Sequence, residues 1–325
     1  MFKWYKPFML LVMMTSVFIL GGCSELVVLD PKGPVAAQQR DLILLSIWAM
    51  LFIIIVVFVL FTIVVVKYRE RKENKDYEPP EMEGSTKLEI IWTVIPILIV
   101  IGLSIPTVQT IYSLEEAPKS SNDKEPLVIH ATSVNWKWVF SYPEEGIETV
   151  NYLHIPEDRA VLFRLTSADS MAAFWVPQLG GQKYNMAGME TKLYLQADEP
   201  GTYQGRNANF TGEGFSNHRF DVIAQTEGEF EDWVEETQGS APKLTEEQYE
   251  KLMLPGEAKE MEFSSTHLEF VNHAEDAEYA IKVREKYGVT SDPHGKKEDQ
   301  KNETENDSDN HENHEEASHS ESHSH

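Results

Sequence analysis

The chain has 325 residues, with 28 Lys plus Arg against 53 Asp plus Glu and a formal net charge of −25. A single cysteine excludes any disulfide framework or thiolate metal site within one copy. So acidic a chain gives no reason to expect a nucleic-acid partner, and much of its negative excess falls late, in Glu227 to Glu236 and beyond Glu298.

The one cysteine is Cys23. Lys3 and Lys6 precede an apolar run from Pro7 to Leu20, and Leu20-Gly21-Gly22-Cys23 follows. A basic segment, a short apolar segment and small residues predict a secretory signal peptide over 1–22. Its ending on Cys is similar to a lipobox, which implies cleavage before Cys23 and acylation of its thiol, making a palmitate-carrying lipoprotein with 23–41 outside the membrane. The competing reading is a third, uncleaved span. It is disfavoured because the run is shorter than the roughly 20 residues that crossing needs.

Two longer apolar segments come next. Residues 42–66 have only Ser46 and Thr62 as polar residues, and 88–111 are interrupted by Pro96, Gly102 and Pro106. Both are long enough to span, and two prolines suit a helix that packs on protein rather than on lipid alone. The loop 67–87 carries Lys67, Arg69, Arg71, Lys72, Lys75 and Lys87, which marks it as cytoplasmic. Everything after about Tyr112 is then outside. Glu89 and Trp92 read as an interfacial pair at the headgroups.

After a linker at 112–126, short β-prone runs begin. Leu127–Ser133, Asn135–Tyr142, Val150–Ile155, Ala160–Thr166 and Lys192–Ala197 are predicted strands, separated by turns such as Tyr142-Pro143-Glu144-Glu145-Gly146 and Asp198-Glu199-Pro200-Gly201. That spacing over 127–226 fits a β-sandwich. Residues 227–287 read as a helical, aromatic-rich extension, in which Thr245 could cap a helix with Gln248 and Leu254-Pro255-Gly256 would end it. The tail 288–325 is acidic and nearly free of apolar residues, so disorder is expected. Its His311, His314, His319, His323 and His325 could bind metal weakly.

The stretch TSADSMAAFWVPQLGGQKYNMAGMETKLYLQADEPGTYQGRNANFTGEGFSNHRFDVIA, Thr166 to Ala224, resembles the copper-binding domain of subunit II of the haem–copper oxidases. Asp30 to Ile43 (DPKGPVAAQQRDLI) and Leu88 to Ile99 (LEIIWTVIPILI) carry the same resemblance. It implies a cupredoxin-like sandwich. In the cytochrome c branch a dinuclear copper centre sits there on two bridging thiolates, which suit the lower oxidation state of copper. Here the first histidine position falls on Ala172, the cysteine positions on Arg206 and Phe210, the second histidine on Gly214 or Phe215, and the methionine on Asn217 or His218. The pattern resembles the quinol oxidase branch, subunit II without the dinuclear site. The glycines at 205, 212 and 214 read as turns replacing the metal-binding loop. Trp136-Lys137-Trp138 fits the electron-receiving patch of the cytochrome c branch. Strand alternation would put both tryptophans on one face and Lys137 on the other, and a packed pair, at the sandwich edge or against subunit I, is the favoured reading. His130, His154 and His218 lack the cysteine that a blue-copper site needs, and of the methionines nearby in sequence, Met171, Met186 and Met189, the last two read as packing residues.

The expected architecture is thus two transmembrane helices, an all-β cupredoxin-like sandwich and a helical C-terminal extension. The resemblance implies a subunit of a bacterial quinol:oxygen oxidoreductase in the cytoplasmic membrane, working with subunits I, III and IV on (mena/ubi)quinol. No catalytic residue, cofactor site or metal site is expected in this chain, with haem and copper B in subunit I. The rival is a free-standing membrane lipoprotein binding metal through its tail.

Overall fold

The computed structural model describes residues 26–69, 84–118 and 124–289. Cys23, the loop 70–83 and the histidine-rich tail lie outside the described residues.

Helix α1 spans Pro34–Tyr68 and α2 spans Thr86–Ser113; both are long and apolar enough to cross a membrane. Helix α1 begins at Pro34, well before the apolar run at Leu42, because Pro pre-sets the first helical φ and loses no hydrogen bond there. Its first turn is spoken for: Val35 and Ala36 are buried against the sandwich. Inside α2, Pro96 and Pro106 each remove one backbone bond. Nearby, Ser104 and Thr107 donate to the carbonyls of Val100 and Leu103, both at 2.8 Å. Ser113 donates to Gln38 Oε1, tying the outer ends of the two helices.

The outer domain is a sandwich of two sheets. The first contains β1 (Leu127–Val134), β2 (Lys137–Tyr142), β3 (Ile147–Val150), β5 (Val161–Ser167), β8 (Thr191–Leu195) and β11 (Met261–Phe263), in the order β11-β3-β2-β1-β5-β8. The second contains β4 (Tyr152–Pro156), β6 (Ala172–Val176), β7 (Gly180–Asn185), β9 (Gly201–Asn207) and β10 (Arg219–Gln225), in the order β4-β10-β9-β6-β7. The β1–β5 and β4–β10 pairs are parallel. Between the sheets, Trp138, Phe140, Phe174 and Phe220 form an aromatic nucleus with centroids 5.0–6.4 Å apart, a geometry that adds to the area each ring buries.

The single strand expected over Val150–Ile155 is two strands in different sheets. Asn151, at φ 63°, turns the chain from β3 into β4. Its side chain fixes that corner, accepting from Trp138 N and donating to the Ala258 carbonyl, both at 2.8 Å.

The extension contains three α-helices: α3 (Glu227–Ser240), α4 (Glu246–Leu252) and α5 (Tyr279–Lys286). Capping boxes start α3 at Thr226–Glu229 and α4 at Thr245–Gln248. It is less helical than expected, since β11 lies between α4 and α5 and lengthens the first sheet at β3. Tyr249, Leu252, Met253, Phe263 and Val283 pack over Val134, Val139 and Val150, the outward residues of that sheet, as a second core. The extension therefore clamps the sandwich by burying the face that β1, β2 and β3 turn away from the first core.

Candidate functional site

The site lies at the pole of the sandwich where β6 begins and the 208–218 loop leads into β10. Ala172 is fully buried on β6. Arg206 points outward from β9, with its guanidinium 5.4 Å from the Trp175 ring. Phe210, at the loop tip, is 76 % exposed and leans on Phe215. Three of the positions that the resemblance assigns to copper ligands thus offer a methyl group, a cation and a phenyl ring, none of them a ligand.

His218 is present but engaged. It is buried, stacked 4.8 Å from Trp138, with Nδ1 3.2 Å from the Asn207 amide and Nε2 3.1 Å from the Lys137 carbonyl. These partners require Nε2–H to donate and Nδ1 to accept, so neither nitrogen keeps a free lone pair. Burial, helped by the charge of Lys137, lowers its pKa to about 4. The residues at this pole do not fit a dinuclear copper centre. Among the described residues, no cluster of three or more His, Cys, Asp or Glu is placed to hold a metal ion.

Trp136 takes the space over the loop. A Cβ on Gly214 would sit 2.4 Å from the indole, and Trp136 Nε1 donates to the Thr211 carbonyl at 2.9 Å. Trp136 precedes β2 instead of lying in it, so the expected alternation fails. Trp138 faces the core, and Lys137 is buried rather than solvated. Lys137 Nζ donates to the carbonyls of Asn135 and Leu254, and burial lowers its pKa to about 8. Gly205 is no turn either. It lies within β9 beneath Phe220, whose ring leaves no room for a Cβ.

The extension seals the back of this pole. Gly256 exchanges backbone hydrogen bonds with the Asn135–Trp136 corner, both 3.1 Å. Asp169, the acid of the "SAD" motif, accepts from Asn135 N and from Arg284 of α5.

The remaining sequence candidates are dispersed. His130 on β1 has its pKa lowered to about 4 by burial and by Arg164, while His154 on β4 stacks on Trp233 and bonds to Gln225. Met186 is half-buried, whereas Met189, also expected to pack, is 50 % exposed within this chain, as Met171 is at 44 %.

One buried cluster was not legible in advance. Glu148 Oε2 accepts from Ser141 Oγ (2.6 Å), His267 N (2.9 Å) and His267 Nδ1 (2.6 Å), all sealed from solvent. Serine and carboxylate meet the same ring nitrogen, so no proton relay runs through the imidazole as it does in hydrolases. The cluster holds the extension to the sheet. Its members are up to 126 residues apart, and no local signal marks them.

Residues 24–110 match the family described as "Cytochrome C oxidase subunit II, transmembrane domain". The chain is 63 % identical over 305 residues to quinol oxidase subunit 2 of Bacillus subtilis, covering 93 % of this chain and 95 % of the relative. It is 55 % identical over 263 residues to quinol oxidase subunit 2 of Bacillus anthracis, covering 81 % and 90 %. The solved periplasmic domain of subunit II of cytochrome oxidase (CoxB) of Bradyrhizobium japonicum aligns at 23 % identity and TM-score 0.34, over 37 % of this chain and 95 % of that one. With nearly its whole length shared at 63 % identity, and with the ligand positions of the copper pole replaced, the chain belongs to the subunit 2 family of the quinol oxidases.

Proposed function

We propose that this chain is the non-redox subunit of a terminal oxidase that takes electrons from a quinol, reduces oxygen to water and translocates protons. Haem and copper B belong to subunit I in this reading. The observation that carries it is the pole itself: Ala172, Arg206 and Phe210 at ligand positions, and His218 with both nitrogens engaged. An electron carrier has no place to sit there, so electrons enter the complex elsewhere.

The chain's own work is structural. Helices α1 and α2 cross the cytoplasmic membrane beside subunit I, residues 67–87 face the cytoplasm, and the sandwich covers the outer face of the complex. Cys23 carries a lipid, which anchors the outer end of a chain already held by two spans. Subunits III and IV complete the assembly.

The test is oxygen uptake by the complex isolated through this chain, with quinol or reduced cytochrome c as donor, together with its metal content. Uptake with quinol alone, and copper equal to what subunit I holds, is the expected result. Uptake driven by cytochrome c would overturn the reading, and so would isolation of this chain without haem.

A further inference from the structure

Within the extension, residues 270–277 form a strap with no helix or strand of its own. It runs from His267, bonded to Glu148 on β3, to Gly188, between β7 and β8. Two of its side chains are buried, Val271 and His273, at 7 % and 1 % exposure. His273 Nε2 lies 2.7 Å from Tyr249 Oη of α4, and the Gly188 N–H donates to the His273 carbonyl at 3.0 Å. At the far end, a Cβ added to Gly188 would stand 3.1 Å from the methyl group of Ala277. A segment so short of backbone partners depends on the seat of its one buried imidazole.

The two histidines of this stretch sit in opposite electrostatic settings. His267 has the Glu148 carboxylate at 2.6 Å, so a proton on its ring meets an anion. His273 has no carboxylate in contact among the described residues. From α4 it faces Tyr249, from α5 the Tyr279 ring at 5.6 Å, and along its own segment the His267 ring at 5.8 Å. Burial keeps both phenols protonated, raising Tyr249 well above its usual value and Tyr279 to about 12. The turn between β7 and β8 offers it the Gly188 backbone. Burial, joined by His267, outweighs the field of Asp276 and lowers the His273 pKa to about 3. Its Nδ1 is buried with no hydrogen-bond partner among the described residues. A second proton on this ring would set an N–H and a full charge where no acceptor stands.

We propose that residues 270–277 are an acid-released strap: to take up a proton, His273 must leave its seat beside Tyr249, which lifts the strap from Gly188 while His267 stays pinned to Glu148. The ring gains its proton only in the open, hydrated arrangement, so protons act as a ligand of the open state. The closed state is favoured in full above the free-imidazole value of 6.5 and weakens as pH falls towards about 3. The tight turn at His267–Glu269 is the hinge. In the topology proposed above, the strap lies on the side towards which protons are moved.

The test is hydrogen–deuterium exchange of the full chain as purified from the membrane, at pH 7.5 and pH 5.0, with each rate divided by the intrinsic rate at that pH. Imidazole values of 6.5 open and about 3 closed give a fall of about 30-fold in the protection of 270–277 between the two. Peptides over 264–269 and over β1 should change by less than about threefold. His273→Gln keeps an amide that can meet Tyr249 Oη, and His273→Phe fills the space of the ring. In each variant, protection over 270–277 should stay within about threefold across the same pH step. Unchanged protection of the strap in the wild type overturns the proposal. So does an equal fall over β1, which would mean general loosening, and so does a comparable fall over 270–277 in either variant.

Discussion

At His218 a buried imidazole serves as a neutral structural contact between the Asn207 amide and the Lys137 carbonyl. Burial holds its folded pKa near 4, below the ordinary value of 6.5. Between those values the unfolded chain binds more protons, so the stability this residue contributes is present above pH 6.5 and is lost as pH falls towards 4. The span is worth roughly 3 kcal/mol. His130 and His273, lowered to about 4 and about 3, act in the same direction. Urea unfolding of a His218→Phe variant across this range should show a shallower pH slope, with about 1–3 kcal/mol lost at pH 7.5 because the Asn207 amide and the Lys137 carbonyl lose their partner. A slope as steep as that of the wild type would contradict the assignment. Gly214 makes a second residue-scale case. Adding a methyl group there meets the Trp136 indole at 2.4 Å, so Gly214→Ala should cost about 1–3 kcal/mol and change the environment of Trp136, read as a lower melting temperature and a shift in tryptophan fluorescence.

Among the elements, α5 is tied to the pole of the sandwich through Arg284, which pairs with Asp169 and donates to the Met253 carbonyl at 2.9 Å. Both partners of the ion pair are largely buried, so removing one leaves an uncompensated charge. Arg284→Met should destabilise by about 3 kcal/mol and expose the extension to limited proteolysis. Asp169→Asn in the same chain should recover part of the loss, the sign of direct coupling; two independent, additive losses would rule out the pair as the clamp. Legibility in the sequence differs by element for physical reasons. Strands β1 and β5 are dense in β-branched and large apolar residues and can be read directly. The run GTYQGRN of β9 carries two glycines and a polar outer face, and becomes a strand because β6 and β10 flank it. Strand β11 has three residues and exists only as a pairing with β3. The identities at Ala172, Arg206 and Phe210 stand in the sequence itself, and their place as ligand positions is what the family resemblance implies. The burial of Lys137 and the Glu148–His267 contact, 119 residues apart, depend on how the extension folds back.

On the scale of the whole molecule, the proposed topology places the sandwich outside and 67–87 inside. With a cysteine introduced at Lys259→Cys and Cys23 left for its lipid, a membrane-impermeant maleimide should label position 259 on intact cells whose wall has been removed. A cysteine at Lys75→Cys should be labelled only after the membrane is opened; equal labelling of both would reject the topology. The length of α1 has a mechanical meaning. One uninterrupted helix runs from Pro34 to Tyr68, and its first turn is keyed against Gly180 of the sandwich, with Val35 Cγ1 only 2.7 Å from where a Cβ would stand. The outer domain therefore has no swivel. Its compass bearing above the bilayer is set by the helical phase between Ala36 and Leu42, and one alanine inserted there would turn the domain by about 100° while lifting it about 1.5 Å. Such an insertion should uncouple the sandwich from its neighbours and lower the haem recovered with the chain. An insertion of seven residues, close to two whole turns, should bring the bearing back and restore more of that haem than the single residue does.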